Sequence, residues 1–189
     1  ILIVLLLGIG TILTSQIFFL VTNSNLFDVN PVGQVQVSFE NNELDHIEHN
    51  FLGDSNWILS DINSYIGNYS YQSGPVSDNE QSTLSIFMNT IEDGYIMFYY
   101  KVESEYSTSG DYFYDGLQFY IDGELMVELQ PDGDGDSDWE YHIENVSAGP
   151  HTFSWTYVKD DGDGDTVNEN FCDCAFIDNI SFPPSEVSE

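Results

Sequence analysis

Basic residues are almost absent from this chain of 189 residues, in which 2 lysines and arginines stand against 33 aspartates and glutamates, for a formal net charge of -31. So large a negative charge repels phosphate groups, and it excludes nucleic acids and anionic lipid headgroups as partners of the folded part. Intrinsic disorder is excluded as well, because 41% of the residues are hydrophobic and 15% are aromatic, which is enough to build a core. The composition therefore indicates a folded domain in a cation-rich exterior.

Helical periodicity is lacking beyond Thr22, and short alternating runs take its place. Hydrophobic and polar residues alternate at 35–39 and 81–88, an aromatic-rich run covers 95–102, and further runs cover 117–121, 124–129, 151–158 and 174–182. A period of two is typical of half-buried strands. Asp122-Gly123, which separates two of these runs, suits a type I′ hairpin turn. Short strands at this spacing predict an antiparallel β-sandwich or jelly roll.

Charged side chains are missing from residues 1–22, which form a long apolar run. As a helix this run would be about 33 Å long, enough to cross a bilayer. A secretory signal peptide would begin with basic residues and end at a small-residue cleavage site, and the run has neither. A permanent membrane anchor remains open. We favour the helix of a leader-cleaved filament subunit, because small and polar residues would let copies of the helix pack closely: Gly8, Gly10, Thr11, Thr14, Ser15 and Gln16.

The predicted fold class is thus mostly β, with an N-terminal hydrophobic α-helix followed by one antiparallel β-sandwich of the jelly-roll kind. The predicted division of the chain is a helix at 1–23, a linker at 24–34, a head at 35–184 and a tail at 185–189. The first segment resembles the N-terminal helix of archaeal type IV-like pilins. It departs from bacterial type IV pilins at Leu5, where those proteins usually have a glutamate.

A set of motifs in the head carries a second resemblance. In chain order these motifs are Phe39-Glu40, Ser82-Thr83-Leu84-Ser85, and the stretches 94–105, 117–123, 149–160 and 175–180. They resemble the MAM-type, concanavalin-like jelly-roll modules of bacterial and archaeal surface proteins. The resemblance implies an extracellular adhesion or binding module. The first and last strands of jelly rolls often lie side by side, so Glu40 and Asp178 could share a cation, and the resemblance supports this because related modules carry acidic residues at both positions. Two carboxylates that cap strand hydrogen bonds are the alternative.

Aspartates alternate with other small residues in two loops, at Asp132, Asp134, Asp136 and Asp138, and at Asp161, Asp163 and Asp165. Calcium takes about six to eight oxygen ligands, and flexible glycines between the aspartates would let several carboxylates converge on one ion. Neither loop is a complete EF-hand, because Ser137 and Thr166 stand where that loop needs glycine. The pattern predicts structural Ca2+ as the cofactor, and a solvated acidic loop is the alternative.

The two cysteines and three sequons fit an extracellular protein. Cys172 and Cys174 flank one residue, and we favour a disulfide or two free thiols over a zinc site, because zinc would need further ligands. The sequons predict N-glycans at Asn68, Asn145 and Asn179, of which Asn179 is the weakest candidate because it follows a core strand. Chance in a chain rich in Asn and Ser is the alternative.

Catalytic motifs are absent: the chain has neither a Gly-x-Ser-x-Gly elbow nor a His-Glu-x-x-His pair, so no enzyme activity is predicted. The favoured function is a pilin-like structural subunit of an extracellular cell-surface filament. Its helices would form a homopolymer core, its membrane insertion would precede assembly, and its acidic heads would contact glycans or neighbouring cells. The alternative is a single-pass, membrane-anchored, lectin-like adhesion or carbohydrate-binding module that does not polymerise.

Overall fold

The structure, a computed structural model, describes residues 34–106, 112–131, 135, 138–162 and 172–186. These residues form eleven strands and one short 3-10 turn at Glu43–His46. The strands are β1 (Gln34–Val37), β2 (His49–Gly53), β3 (Ile58–Ser60), β4 (Ser70–Gln72), β5 (Gln81–Thr90), β6 (Gly94–Glu103), β7 (Gly116–Ile121), β8 (Glu124–Leu129), β9 (Glu140–Val146), β10 (Gly149–Val158) and β11 (Cys174–Glu186).

The strands form two antiparallel sheets that pack face to face. In sheet A, β11 lies between β6 on one side and β1 and β4 on the other, with β9 beyond β6 and β3 beyond β4. In sheet B the order is β2, β5, β10, β7, β8. The last residues of β11 leave sheet A and pair with β5, where Ser185 lies opposite Thr90. The long last strand therefore joins the two sheets.

The register defines two ends of the sandwich. At the proximal end, Gln34 lies opposite Pro184 and Gly149 lies opposite Thr90. At the distal end, Cys174 lies opposite Glu103, and Val158 is the last residue of β10 that pairs with β5 and β7. The acidic loops that follow β6, β8 and β10 are all connected at the distal end.

Aromatic rings fill the space between the sheets because the inward positions of the long strands are nearly all large and apolar. Phe98 of sheet A lies 5.4 Å from Trp155 and 4.8 Å from Phe119 of sheet B, measured between ring centroids. Phe153 and Phe182 make a similar contact at 5.4 Å. All five side chains are completely buried. Burial of rings of this size supplies much of the hydrophobic driving force for the fold.

The alternating runs in the sequence are confirmed as β1, β5, β6, β7, β8, β10 and β11. The hairpin turn is confirmed too, since Asp122 and Gly123 have φ angles of 54° and 81°, as a type I′ turn requires. Strands β2, β3, β4 and β9 are not predicted from the sequence. In addition, β1 ends at Val37 and β11 continues through Pro183 and Pro184 to Glu186. The domain boundaries themselves stay a prediction.

The predicted fold class is wrong in its helical part. It joins the sandwich to an N-terminal α-helix, whereas residues 34–186, as far as they are described, contain strands and the 3-10 turn but no α-helix. Their apolar positions recur with a period of two, which a helix cannot bury on one side. The fold shown is all-β. The segment assigned to the helix, with Gly8, Gly10, Thr11, Thr14, Ser15 and Gln16, lies outside the described residues. Among the described residues, no helix has the length and apolar character needed to cross a bilayer.

Candidate functional site

The outer surface of sheet A carries a row of exposed aromatic side chains. Antiparallel pairing sets three outward pairs directly opposite one another: Tyr95 with Asn145, Met97 with Ile143, and Tyr99 with Tyr141. Tyr95, Tyr141 and Ile143 are 54%, 62% and 47% exposed. Two further rings join this row from neighbouring loops, and we call the whole surface the aromatic face: Tyr65, Tyr95, Met97, Tyr99, Trp139, Tyr141 and Ile143.

Three tyrosine rings of the aromatic face lie in a line across the strands. Tyr65 stacks on Tyr99 with ring centroids 3.5 Å apart and planes 12° from parallel, and Tyr99 lies 6.1 Å from Tyr141. Trp139 lies 6.1 Å from Tyr65 on the distal side. A hydrogen bond with Tyr65, together with burial, raises the pKa of the Tyr99 hydroxyl above its ordinary value. Because the planes of Tyr99 and Tyr141 are tilted by 58°, the line offers an apolar surface that is angled rather than flat, with hydroxyl groups on it.

A buried carboxylate holds Tyr65 in place. Asp178 projects from β11 on the same side of sheet A as Tyr99, its partner in the register, and the loop at 61–69 covers it. The backbone N–H groups of Tyr65 and Ile66 donate to Asp178 Oδ2 at 2.8 and 3.1 Å. Burial raises the pKa of Asp178 to about 6, against the opposing effect of these hydrogen bonds. Asp178 is thus the anchor of the loop that completes the aromatic face.

Glu40 holds the other end of the same loop. The N–H groups of Asn68 and Tyr69 both donate to Glu40 Oε1 at 2.8 Å. Burial pushes the pKa of Glu40 upward, but the hydrogen bonds outweigh it and hold this pKa below its ordinary value. Gly67 has a φ of 75° and leaves room for the carboxylate, because a Cβ atom there would lie 2.5 Å from Glu40 Cδ. Glu40 and Asp178 therefore both bind backbone N–H groups of one loop, and a cation shared between them stays a prediction.

Most of the predicted calcium ligands lie outside the described residues, namely Asp132, Asp134, Asp136, Asp163 and Asp165. Asp138 and Asp161 are described and exposed. Between the two loops the structure gathers a different set, Glu105, Asp115 and Asp160, whose carboxylates each place one oxygen within 4.8 Å of the others. The carbonyl of Gly135, in the first acidic loop, accepts a hydrogen bond from the N–H of Ser104 at 3.1 Å. The first acidic loop thus contacts the residue next to Glu105, and the second begins directly after Asp160.

The cluster adjoins a buried ion network around Lys159. Its ammonium group contacts the carboxylates of Asp115 at 3.3 Å and Asp78 at 3.9 Å, and it donates a short hydrogen bond to Asp173. Tyr157 donates to the same Asp173 at 2.9 Å. Burial raises the pKa of Asp115 to about 6, although Lys159 and the N–H of Asp160 oppose this. The other lysine, Lys101, lies 3.3 Å from Glu103.

The cysteines and sequons fall on different parts of the sandwich. Cys172 and Cys174 form a disulfide at the start of β11, with Cα atoms 5.3 Å apart. Asn68 is exposed beside Glu40, and its side-chain amide donates to Glu40 Oε2 at 3.3 Å. Asn179 is half-buried, with a φ of 48°, and its side chain accepts a hydrogen bond from Gln36. Asn145 is exposed on the aromatic face. Glycosylation of the three stays a prediction.

The sequence alone does not identify the aromatic face, although the alternation in β6 predicts part of it. Tyr95, Met97 and Tyr99 occupy the alternate positions of an aromatic-rich strand, so a row of rings on its outer side follows from the period of two. Their partners on β9 and the approach of Tyr65 depend on pairing between distant segments. Glu105 and Asp115 are likewise brought to Asp160 only by the fold.

No protein-family model matches the chain, and no curated protein matches it in sequence. Among solved structures, a family 35 carbohydrate-binding module from Clostridium thermocellum is similar over 78% of this chain and 95% of its own, with 12% identity and a TM-score of 0.44. The K3 cleaved adhesin domain of Lys-gingipain from Porphyromonas gingivalis W83 is similar over 79% and 98%, with 13% identity and a TM-score of 0.49. The secreted serine protease VesC from Vibrio cholerae is similar over 75% of this chain and 26% of its own, with 17% identity and a TM-score of 0.48.

Proposed function

We propose that this chain is an extracellular, lectin-like adhesion module that binds carbohydrate on the aromatic face and catalyses no reaction. The observation that carries the proposal is the line of Tyr65, Tyr99 and Tyr141 on the outer surface of sheet A. Large exposed apolar rings are costly to leave in water, and a contiguous set of them marks an interaction surface.

The chemistry of the aromatic face fits a sugar ring. One face of a pyranose is lined by C–H groups, whose hydrogens are slightly positive, and the face of a tyrosine ring is slightly negative. Tyrosine hydroxyls and the amide of Asn145 can also exchange hydrogen bonds with sugar hydroxyls. Because the whole chain has a net charge of -31, an anionic partner is repelled, and a neutral polyhydroxylated ligand fits best.

The disulfide and the charge support an extracellular location. A bond between Cys172 and Cys174 persists in an oxidising compartment and is rare in the cytosol. The favoured prediction from the sequence, a pilin-like subunit of a homopolymeric filament, receives no support from the described residues, because it depends on segment 1–23. In the alternative prediction, the membrane anchor depends on the same segment, whereas the lectin-like module needs only the head.

Binding to an array of neutral and acidic glycans, followed by calorimetry with the best neutral oligosaccharide, tests the proposal. We expect Tyr99→Ala and Tyr141→Ala each to lose about 1 kcal/mol of binding free energy, roughly a five-fold weaker Kd, because a ring contact of this kind contributes about 0.5–1.5 kcal/mol. Tyr112→Ala is the matched control, since Tyr112 is 66% exposed and does not belong to the aromatic face. Equal binding by all three variants, or no binding to any glycan, would contradict the proposal.

Calcium at the distal end is a second part of the proposal. The convergence of Glu105, Asp115 and Asp160 beside the two acidic loops supports it, since three carboxylates this close repel one another and the ammonium of Lys159 at Asp115 supplies one positive charge against their three negative ones. At about 100 times its Kd, a bound ion would stabilise the head by about 2.7 kcal/mol, which corresponds to a rise in Tm of roughly 5–10 °C.

Calorimetric melting with Ca2+ and with a chelator tests this part. We expect the chelator to lower the Tm of the wild type, Asp160→Asn to remove most of that effect, and the control Asp61→Asn to keep it. An unchanged Tm, with no bound metal by elemental analysis, would contradict calcium binding.

A further inference from the structure

Asn145 lies at the proximal edge of the aromatic face, beside Tyr95. It lies on β9, directly opposite Tyr95 of β6, so the two side chains leave the sheet on the same side. Side chains at opposite positions of an antiparallel pair have Cβ atoms about 4.5–5.5 Å apart. Both residues are exposed, and Tyr95 retains 54% of its surface. Anything attached to Asn145 therefore begins its course beside the ring of Tyr95.

The three sequons differ in how far the structure leaves their asparagine side chains open. Asn179 is half-buried and bonded to Gln36, and Asn68 uses its amide nitrogen to contact Glu40. Asn145 lies on the exposed edge strand of sheet A, and Ser147, the third sequon residue, is exposed in the turn before β10. The carbonyl of Ser147 accepts a hydrogen bond from Thr90 at 2.7 Å, which fixes this turn. The sequon at Asn145 therefore exposes both its asparagine and its serine to a modifying enzyme.

Resting on the proposed function, we propose that Asn145 carries an N-linked glycan that lies along the aromatic face and competes with external carbohydrate for it. Modification needs a sugar activated as a phosphate ester at its anomeric carbon and a transferase. The Asn145 nitrogen attacks the anomeric carbon, an N–C bond forms, and the C–O bond to the phosphate breaks. The phosphate leaves with the electron pair, and the amide nitrogen loses one proton.

The distances on the sheet let an attached glycan cover the binding surface. Tyr141 lies four residues from Asn145 along β9, a rise of about 13 Å at roughly 3.3 Å per residue, so a short oligosaccharide running toward the distal end reaches it. An attached ligand experiences an effective concentration in the millimolar range. An attached glycan whose own Kd for the aromatic face is about a tenth of that concentration occupies the face about 90% of the time, and it raises the apparent Kd of external glycans on the order of tenfold.

The test compares chains secreted from an N-glycosylating host. Ser147→Ala removes the sequon but keeps Asn145 itself, and Asn68→Gln is the matched control, since it removes a sequon outside the aromatic face. Mass spectrometry locates the glycans. N-acetylimidazole, which acetylates exposed tyrosines, then reports the accessibility of Tyr95 and Tyr141 without any external ligand. Calorimetry uses the best neutral oligosaccharide from the array.

We expect Asn145 to be modified, and Tyr95 to be acetylated at least about five-fold more slowly in the wild type and in Asn68→Gln than in Ser147→Ala. We also expect the oligosaccharide to bind Ser147→Ala on the order of tenfold more tightly than the modified wild type. An unmodified Asn145, or equal acetylation of Tyr95 in modified and unmodified chains, would overturn the inference. If Ser147→Ala binds no glycan, the proposed function fails, whereas the acetylation rates still decide where the attached glycan lies.

Discussion

Replacement of Asp178 by asparagine should change the pH dependence of stability. Burial raises the pKa of this carboxyl from 3.8 to about 6. The folded state therefore keeps the proton up to about pH 6, while the unfolded chain releases it near pH 3.8. Because the folded state binds more protons between these values, the free energy of unfolding falls as the pH rises through this window.

The size of the effect follows from the shift. About two pKa units, at roughly 1.4 kcal/mol each, correspond to a loss of about 3 kcal/mol between pH 4 and pH 7. Asp178→Asn has no charge to desolvate, and its remaining carbonyl oxygen can still accept hydrogen bonds from Tyr65 and Ile66. We expect the variant to lack this loss, and therefore to gain on the wild type as the pH rises.

Urea unfolding of the wild type and Asp178→Asn from pH 4 to pH 8, in the presence of a chelator, measures this difference. Asp61→Asn is the matched control, because Asp61 is exposed in the same loop and its replacement also removes one carboxylate. Parallel profiles for the wild type and Asp178→Asn would refute the reasoning. A wild-type profile that becomes flat only with added Ca2+ would instead point to a cation at Glu40 and Asp178, which would keep the carboxylate ionised.

Two further substitutions test the distal network and the loop. Lys159→Met leaves the buried carboxylate of Asp115 without its ammonium partner. We expect the free energy of unfolding to fall by about 3–5 kcal/mol at pH 7. This difference from the wild type should shrink below about pH 6, where Asp115 becomes protonated. Urea unfolding measures it, and a second change, Asp115→Asn, should restore part of the loss; no restoration would contradict the assigned pair. Gly67→Ala places a Cβ against Glu40 at a φ of 75°, whereas Gly123→Ala meets nothing within 4 Å at a φ of 81°. Each substitution should lower the free energy of unfolding by about 1–2 kcal/mol because alanine disfavours the left-handed backbone, and the contact with Glu40 should lower it further in Gly67→Ala. Equal losses in the two variants, measured by urea unfolding, would show that the Glu40 side chain moves aside at no energetic cost.

The sequence predicts the long strands well, because β5, β6 and β10 are each ten residues long and carry at least three buried apolar residues at alternate positions. It fails for β3 and β4, each of three residues, where a period of two is too short to detect. It also assigns Glu40 and Asp178 to a cation, since both residues are acidic and lie in or next to the first and last strands, which jelly rolls place side by side. The loop at 61–69 that binds both carboxylates shows no pattern in the sequence. The sequence does not predict the aromatic face for a similar reason: β6 and β9, which pair to form it, are separated in the chain by residues 104–139.

The entry of the chain into β1 has a mechanical consequence. Residue 34 begins β1, which pairs with β11, which pairs with β6, which pairs with β9. If a tether pulls at residue 34 while a ligand holds the tyrosines of β6 and β9, the series of paired strands between the two points runs through sheet A. Backbone hydrogen bonds lie across the strands, so force directed along the strands loads each ladder in shear, and the bonds of a ladder share it. Sheet B lies beside this path, joined to it where the end of β11 pairs with β5, and it backs the loaded sheet.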